Sequence, residues 1–123
     1  MSEKKKILIA DDDPHVIRSL TFVLNKEGYD SLTATNGEEA ILKIRESKPS
    51  LMFLDVMMPR KNGYEVCQEM KDDPTLSDVY IIMLTAKGQE ADRDIGLRMG
   101  ANEFVTKPFS IIELTDRVKQ ILG

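Results

Sequence analysis

The chain has 123 residues, a length that suits one domain with a real hydrophobic core rather than two domains. Charged residues make up 31% of it, and its formal net charge of −4 argues against direct nucleic-acid binding, which needs a basic face. No apolar run approaches the ~20 residues of a membrane span, and the N-terminus lacks the apolar core of a secretory signal. We therefore expect a cytoplasmic protein with no membrane partner.

The single cysteine and the single histidine exclude two further kinds of site. Cys67 has no partner for an internal disulfide, and with His15 alone it cannot complete the four-ligand set of a structural zinc site. We expect Cys67 to be a small core residue on a helix.

Strand-like and helix-like segments alternate along the whole chain, with no linker or internal repeat between them. This alternation predicts an α/β fold with a five-stranded parallel sheet, right-handed crossovers and helices on both faces. The predicted strands are 6–10, 29–34, 50–54, 79–84 and 102–106, and the predicted helices are 14–27, 37–47, 63–73, 88–99 and 110–122.

Capping signals mark the starts of several predicted helices. Asp13 precedes a proline and is a good N-cap for the first helix. Asn36 or Gly37 begins the second helix, and Ser110 with Glu113 has the spacing of a capping box for the last one.

Four of the apolar runs lead into chemically reactive residues. Asp11, Asp12 and Asp13 follow the first run, and Asp55, Thr85 and Lys107 follow the third, fourth and fifth. Open α/β sheets place their ligands just beyond the carboxyl ends of the strands. If these strands are neighbours, carboxylates, a hydroxyl and an ammonium group converge on one cleft.

Three carboxylates in one cleft cannot all remain ionised and unpaired. Two unit charges ~4 Å apart at an effective dielectric constant of ~20 repel by about 4 kcal/mol. Either one carboxyl group keeps a proton or the cluster binds a cation. Oxygen ligands with an open face suit Mg2+, and the Lys107 ammonium would supply a second positive charge.

These groups meet the requirements of phosphoryl transfer, in which a metal and an ammonium group neutralise the phosphoryl oxygens. Asp55 stands alone at its strand end and is the best placed nucleophile, because a carboxylate can form an acyl phosphate. Asp11 and Asp12 form a pair better suited to holding the metal. Thr85 is placed to donate a hydrogen bond to a phosphoryl oxygen.

At these residues the chain resembles the receiver domains of two-component response regulators, and the similarity runs from about Lys5 to Leu122. The resemblance implies a single receiver domain over 1–123, with a core of about 5–122, and a flavodoxin-like, doubly wound (βα)5 fold with strand order 2-1-3-4-5. The matching residues are Asp11-Asp12, Leu54-Asp55-Val56-Met57-Met58-Pro59 with Gly63, Leu84-Thr85-Ala86, Gly100-Ala101 and Thr106-Lys107-Pro108-Phe109.

The resemblance assigns the chain to signalling rather than to metabolic enzymes. It implies that Asp55 accepts a phosphoryl group from a sensor histidine kinase, a phosphotransfer protein or a small acyl phosphate. Asp12 would bind Mg2+ directly, Asp11 through water and Met57 through its backbone carbonyl. The catalysis implied is limited to the domain's own phosphorylation and dephosphorylation.

The family also implies a conformational switch. Thr85 and Lys107 would contact the phosphoryl group after transfer, and the Lys107-Pro108 bond is expected to be cis. The ring of Phe104 would respond to the movement of Thr85; a static core ring is the alternative.

Two neighbours of the site are expected to set the phosphoryl lifetime. Met57 and Lys87 lie two positions after Asp55 and Thr85, where they would control the access of water. Met57 is apolar and a charged Lys87 cannot accept a proton, so we expect slow self-dephosphorylation.

The predicted output face lies on the segments 88–99, 102–106 and 110–122, and it would control a downstream effector protein or domain. Opposite charges there could pair between two copies in a phosphorylation-dependent homodimer, although an ordinary solvated surface explains them equally well. The residues concerned are Arg93, Glu103, Glu113 and Arg117.

One enzyme class remains an alternative: a Mg2+-dependent aspartyl-phosphate hydrolase of the haloacid dehalogenase type, for which Asp11 and Asp13 have the required spacing. The chain lacks the extra length that would enclose a substrate for such an enzyme. A flavodoxin-like electron carrier is excluded because three aspartates after the first strand would repel a flavin phosphate.

Overall fold

The computed structural model describes residues 4–86, 98 and 100–123. Its five strands form one parallel sheet in the order β2-β1-β3-β4-β5, which confirms the predicted fold class and strand order. The strands are β1 (Lys6–Ala10), β2 (Asp30–Ala34), β3 (Leu51–Asp55), β4 (Tyr80–Thr85) and β5 (Glu103–Thr106).

The described helices lie close to their predicted positions, whereas the predicted helix over 88–99 lies, except for residue 98, outside the described residues. A short 3-10 helix, Pro74–Leu76, was not predicted. The α-helices are α1 (Pro14–Lys26), α2 (Gly37–Ser47), α3 (Gly63–Lys71) and α4 (Ile111–Leu122). None of the helices that the structure describes is both long and apolar enough to cross a membrane.

The predicted N-caps are confirmed by their hydrogen bonds. The side chains of Asp13, Asn36 and Ser110 each accept a bond from a backbone N–H in the first turn of the helix that follows. Sequence reasoning missed a complete capping box at α3, where Asn62 and Glu65 exchange side-chain to backbone hydrogen bonds. These bonds satisfy amide groups that would otherwise have no partner at the helix start.

The sheet separates two apolar cores, because alternate residues of each strand face opposite sides. The first core packs α1 and α4 against residues such as Ile7, Ile9 and Phe53. The second packs α2 and α3 against the other face and includes Cys67, which is buried as predicted. Each fully buried large aliphatic or aromatic side chain contributes about 1.5–3 kcal/mol to folding. The core thus holds the carboxyl ends of the strands in a fixed arrangement.

Two strands extend one residue further than predicted, and this affects the site. Asp55 and Thr85 are the last residues of β3 and β4, where they pair in register with Leu84 and Thr106. Ladder pairing uses backbone groups only, so a polar side chain does not end a strand. Asp55 and Thr85 are therefore held by the sheet itself and not by a loop.

Candidate functional site

The predicted acidic cluster forms at the carboxyl edge of the sheet. Asp11 and Asp12 follow β1, and Asp55 ends the neighbouring strand β3. One carboxylate oxygen from each of the three lies within 4.8 Å of the others. Asp11 and Asp55 are buried, whereas Asp12 is exposed to solvent. The cluster thus has a closed end inside the protein and an open end.

Asp11 is the most deeply buried member, with no exposed surface. Its Oδ1 accepts a hydrogen bond of 2.9 Å from the backbone N–H of Asp13. Its Oδ2 lies 2.9 Å from Nζ of Lys107, but the contact is an ion pair without the direction of a good hydrogen bond. This buried oxygen therefore keeps lone-pair capacity for a cation.

Lys107 reaches the cluster from the end of β5, as predicted. Its Nζ lies 3.7 Å from Oδ2 of Asp55, so Asp11 is its nearer partner. Burial lowers the pKa of Lys107, but the contact with Asp11 and the charges of Asp55 and Asp11 outweigh it and raise the pKa overall. The ammonium group is therefore charged.

The backbone of Lys107 is also fixed. Its N–H donates to the Thr85 carbonyl at 2.7 Å, and the Lys107-Pro108 bond is cis as expected.

Asp55 has an unusual protonation equilibrium. Burial and the negative charge of Asp11 raise its pKa to about 7, although Lys107 and a hydrogen bond from the Met57 amide act in the opposite direction. This value agrees with the expectation that the cluster retains a proton when no cation neutralises it.

Thr85 is buried beside the cluster, on the strand next to Asp55. Its Oγ1 donates a hydrogen bond of 3.0 Å to the carbonyl of Ala86. In this conformation the hydroxyl proton is directed to the backbone. The bond from the hydroxyl to the Ala86 carbonyl must break before the hydroxyl can donate to a group bound at Asp55.

The loop 56–62 begins directly after Asp55 and bends back on itself. The Met57 amide donates to Oδ1 of Asp55 at 3.3 Å, and the Gly63 amide donates to the Val56 carbonyl at 2.8 Å. A Cβ on Gly63 would lie 2.6 Å from the backbone oxygen of Asp55, so only glycine allows this return. The Met57 side chain is 61% exposed and lies outside the core.

The donor set of the cluster fits a small divalent cation. Three carboxylates with an open end offer only oxygen ligands, which Mg2+ prefers, and they leave room for the waters that Mg2+ retains. The lone-pair capacity of the buried Oδ2 of Asp11 supports the same assignment.

The remaining predicted residues fall into three groups. Phe104 is half-buried and packs against the core that contains α2 and α3. Of the residues predicted to pair between two copies, Glu103 and Arg117 form an ion pair within one chain, with Nη2 and Oε2 2.5 Å apart, and the Glu113 amide donates to the Ser110 side chain at the start of α4. Lys87 and Arg93 lie outside the described residues.

Comparison with known proteins identifies the class. Residues 7–119 match the family model of the response regulator receiver domain. The chain belongs to this family, whose members are signalling domains and not classical enzymes. These comparisons do not support the hydrolase alternative, and Asp13, which that alternative requires, caps α1 by accepting a bond from the His15 amide.

Curated relatives are longer proteins. The chain is 50% identical over 121 residues to "Probable transcriptional regulator ycf27" of Pyropia yezoensis, covering 98% of this chain and 49% of that protein. It is 45% identical over 118 residues to the alkaline phosphatase synthesis transcriptional regulatory protein PhoP of Bacillus subtilis (strain 168), covering 96% of this chain and 48% of that one. The chain thus spans about half the length of these relatives.

Solved receiver structures share the fold. A response regulator from Chloroflexus aurantiacus J-10-fl superposes with a TM-score of 0.89 at 38% identity, with 98% of each chain covered. The receiver domain of the Francisella response regulator 1452 gives a TM-score of 0.87 at 29% identity, with 96% of each chain covered.

Proposed function

We propose that this receiver domain is a phosphorylation-controlled switch in which Asp55 accepts the phosphoryl group. The observation that carries the proposal is the environment of this carboxyl group. Asp55 is held at a strand end, 5% exposed, with a second carboxylate beside it and the Lys107 ammonium 3.7 Å away. A nucleophile, a positive charge and a set of metal ligands therefore meet at one point.

The transfer step follows from carboxylate chemistry. One carboxylate oxygen of Asp55 attacks the phosphorus of a phosphohistidine or of a small acyl phosphate and forms an acyl phosphate. The bond from phosphorus to the donor nitrogen or oxygen breaks, and the leaving group takes the electron pair. Because the pKa of Asp55 is about 7, the carboxyl group must first lose its proton. The donor partner would be a sensor histidine kinase or a phosphotransfer protein.

Asp11, Asp12 and Asp55, together with the backbone carbonyl of Met57, would hold Mg2+. When bound, Mg2+ neutralises charge on the phosphoryl oxygens and on the carboxylates. Asp11 is positioned for this task by the Asp13 amide, which fixes one of its oxygens and leaves the other directed into the cluster.

After transfer, the new dianion would compete for the hydroxyl and the ammonium group nearby. Thr85 would exchange its bond to the Ala86 carbonyl for one to a phosphoryl oxygen, and Lys107 would move toward the same charge. The backbone N–H of Lys107 donates a hydrogen bond to the Thr85 carbonyl. A shift of these two residues would therefore displace β5 and the Phe104 ring. The phosphoryl charge would thus change the populations of two packings.

We propose that an effector protein or domain responds to this change in conformation by contacting the face that contains β5 and α4. A phosphorylation-dependent homodimer at this face remains a prediction, to be tested by gel filtration with and without a phosphoryl mimic. Met57, the apolar residue two positions after Asp55, would limit the access of water, so slow self-dephosphorylation is expected.

The test is intact-protein mass spectrometry after incubation with acetyl phosphate, with and without Mg2+. Wild type should gain a single phosphoryl adduct only with Mg2+, and Asp55→Ala should gain none. Asp13→Asn is the matched control, because it neutralises a nearby carboxylate and keeps a good N-cap. An adduct that persists in Asp55→Ala, or no adduct on the wild type, would contradict the proposal.

A further inference from the structure

We infer that Gly37, the first residue of α2, is a positioning residue for the phosphoryl site. The absence of a side chain at this position determines where the loop 56–62 lies, and that loop carries Met57 beside Asp55. This role rests on the proposed function, because it concerns the Mg2+ affinity and phosphorylation of the same site.

Gly37 packs directly against the backbone of the loop. A Cβ built on Gly37 would overlap Cβ and the carbonyl oxygen of Lys61 and would lie 2.7 Å from the carbonyl carbon. Ordinary van der Waals contact begins at 3.4 Å, so Lys61 would have to move by at least about 0.7 Å. Two of the three atoms belong to the backbone, so a rotamer change cannot relieve the overlap.

Backbone conformation does not explain the glycine. Gly37 is the first helical residue of α2 and does not have the positive φ that favours glycine. Alanine is the better helix former at such a position. The close approach to Lys61 is therefore the physical reason for glycine here.

Several contacts hold the loop between α2 and α3. On the α2 side, the Gly37 amide donates to the Pro59 carbonyl at 3.4 Å, and Glu38 pairs with Arg60 at 3.3 Å. On the α3 side, Lys61 pairs with Glu69. A loop that is held on both sides cannot move away from a new methyl group without transmitting the displacement along its backbone.

The displacement would reach Asp55 through a short path. The loop leaves β3 immediately after Asp55 and comes back to the end of this strand, where the Gly63 amide donates a hydrogen bond to the Val56 carbonyl. Met57 lies between these two points and donates its amide to Asp55 at 3.3 Å. A shift of the loop therefore changes the position of the Met57 backbone, which supplies both this bond and the proposed metal-binding carbonyl.

The experiment measures binding of Mg2+ alone by titration calorimetry, together with the NMR shift of the Met57 amide. Gly37→Ala should weaken Mg2+ binding by about tenfold, as the displacement of groups that orient metal ligands typically does. Its phosphorylation by acetyl phosphate should return to within about twofold of wild type at saturating Mg2+, because Asp55 and Lys107 are unchanged.

One control separates positioning from general stability. Ile44→Val weakens the core contact of α2 without touching the loop. This variant should bind Mg2+ within about twofold of wild type. Affinity in Gly37→Ala equal to wild type, or an equal loss in Ile44→Val, would overturn the inference.

If Gly37→Ala does not fold, a second pair of variants decides the question. Lys61→Ala and Lys61→Gly both lose the ion pair to Glu69, but only Lys61→Gly loses the Cβ that packs on Gly37. Lys61→Gly should bind Mg2+ about threefold more weakly than Lys61→Ala, and equal affinities would refute the role. If wild type gains no phosphoryl adduct, the proposed function fails. If wild type gains the adduct but the variants bind Mg2+ with wild-type affinity, only the positioning role of Gly37 fails.

Discussion

The raised pKa of Asp55 predicts that the wild-type protein loses stability as the pH rises when no metal is present. The unfolded chain releases the Asp55 proton near its ordinary pKa of ~3.9, whereas the folded protein retains it up to about pH 7. Between these values the folded state binds more protons than the unfolded state, so the free energy of unfolding falls with increasing pH. Asp55→Asn removes this loss, because an amide does not ionise.

The magnitude follows from the size of the shift. A difference of about three units at 1.36 kcal/mol per unit sets an upper limit of about 4 kcal/mol. Asp12 beside it is exposed, and solvent at this open end screens the charge, so we take half of that limit. Asp55→Asn should therefore be more stable than wild type by about 2 kcal/mol at pH 8, and by less than about 1 kcal/mol at pH 5.

The assay is urea unfolding in EDTA at pH 5 and pH 8, followed by circular dichroism. A gain of 2 kcal/mol at pH 8 should also raise Tm by roughly 5–10 °C. Asp13→Asn is again the matched control, since it removes one negative charge close to the cluster without removing a buried carboxylate. A stability difference between Asp55→Asn and wild type that does not change with pH, or that Asp13→Asn reproduces, would refute the reasoning.

Three further predictions concern single side chains. Lys107→Met should tighten binding of Mg2+ at pH 8.5 by several-fold in titration calorimetry, because the ammonium group no longer competes for Asp11; weaker binding would contradict this. Thr85→Val should still accept phosphoryl but lose the phosphorylation-dependent NMR shift of the Phe104 ring, and an undiminished shift would exclude Thr85 as its cause. Cys67 should react with a thiol reagent only after unfolding, because burial raises its pKa to about 12 and leaves it 1% exposed; fast labelling of the native protein would show otherwise.

The positions of the site residues could be predicted because they depend on only two properties of the sequence. Apolar runs define parallel strands, and parallel strands place the residues at their carboxyl ends along one edge. This was enough to bring Asp11, Asp12, Asp55, Thr85 and Lys107 together.

The partners of individual side chains could not be predicted, because they depend on depth and distance. The contact of Lys107 with a phosphoryl group after transfer stays a prediction, but the sequence did not indicate that its nearer partner without a phosphoryl group is Asp11, which is fully buried. Glu103 and Arg117 satisfy each other within one chain because β5 and α4 lie within reach of one another.

The packing of Gly37 on Lys61 was missed for a similar reason. The two residues are distant in the chain and meet only because α2 and the β3–α3 loop lie side by side. The one signal in the sequence was a glycine at a helix start, where alanine would favour the helix more.

The placement of β5 has a mechanical consequence. This strand is four residues long and lies at the edge of the sheet, where β4 is its only neighbour among the strands that the structure describes. Glu103 is tied to Arg117 of α4, while the adjacent Phe104 packs on the other side of the sheet. A small rotation of β5 about its own axis would therefore displace the side chains of Glu103 and Phe104 in opposite directions. The Glu103–Arg117 ion pair and the Phe104 ring thus respond to one and the same motion of the strand, although they lie on opposite faces of the sheet.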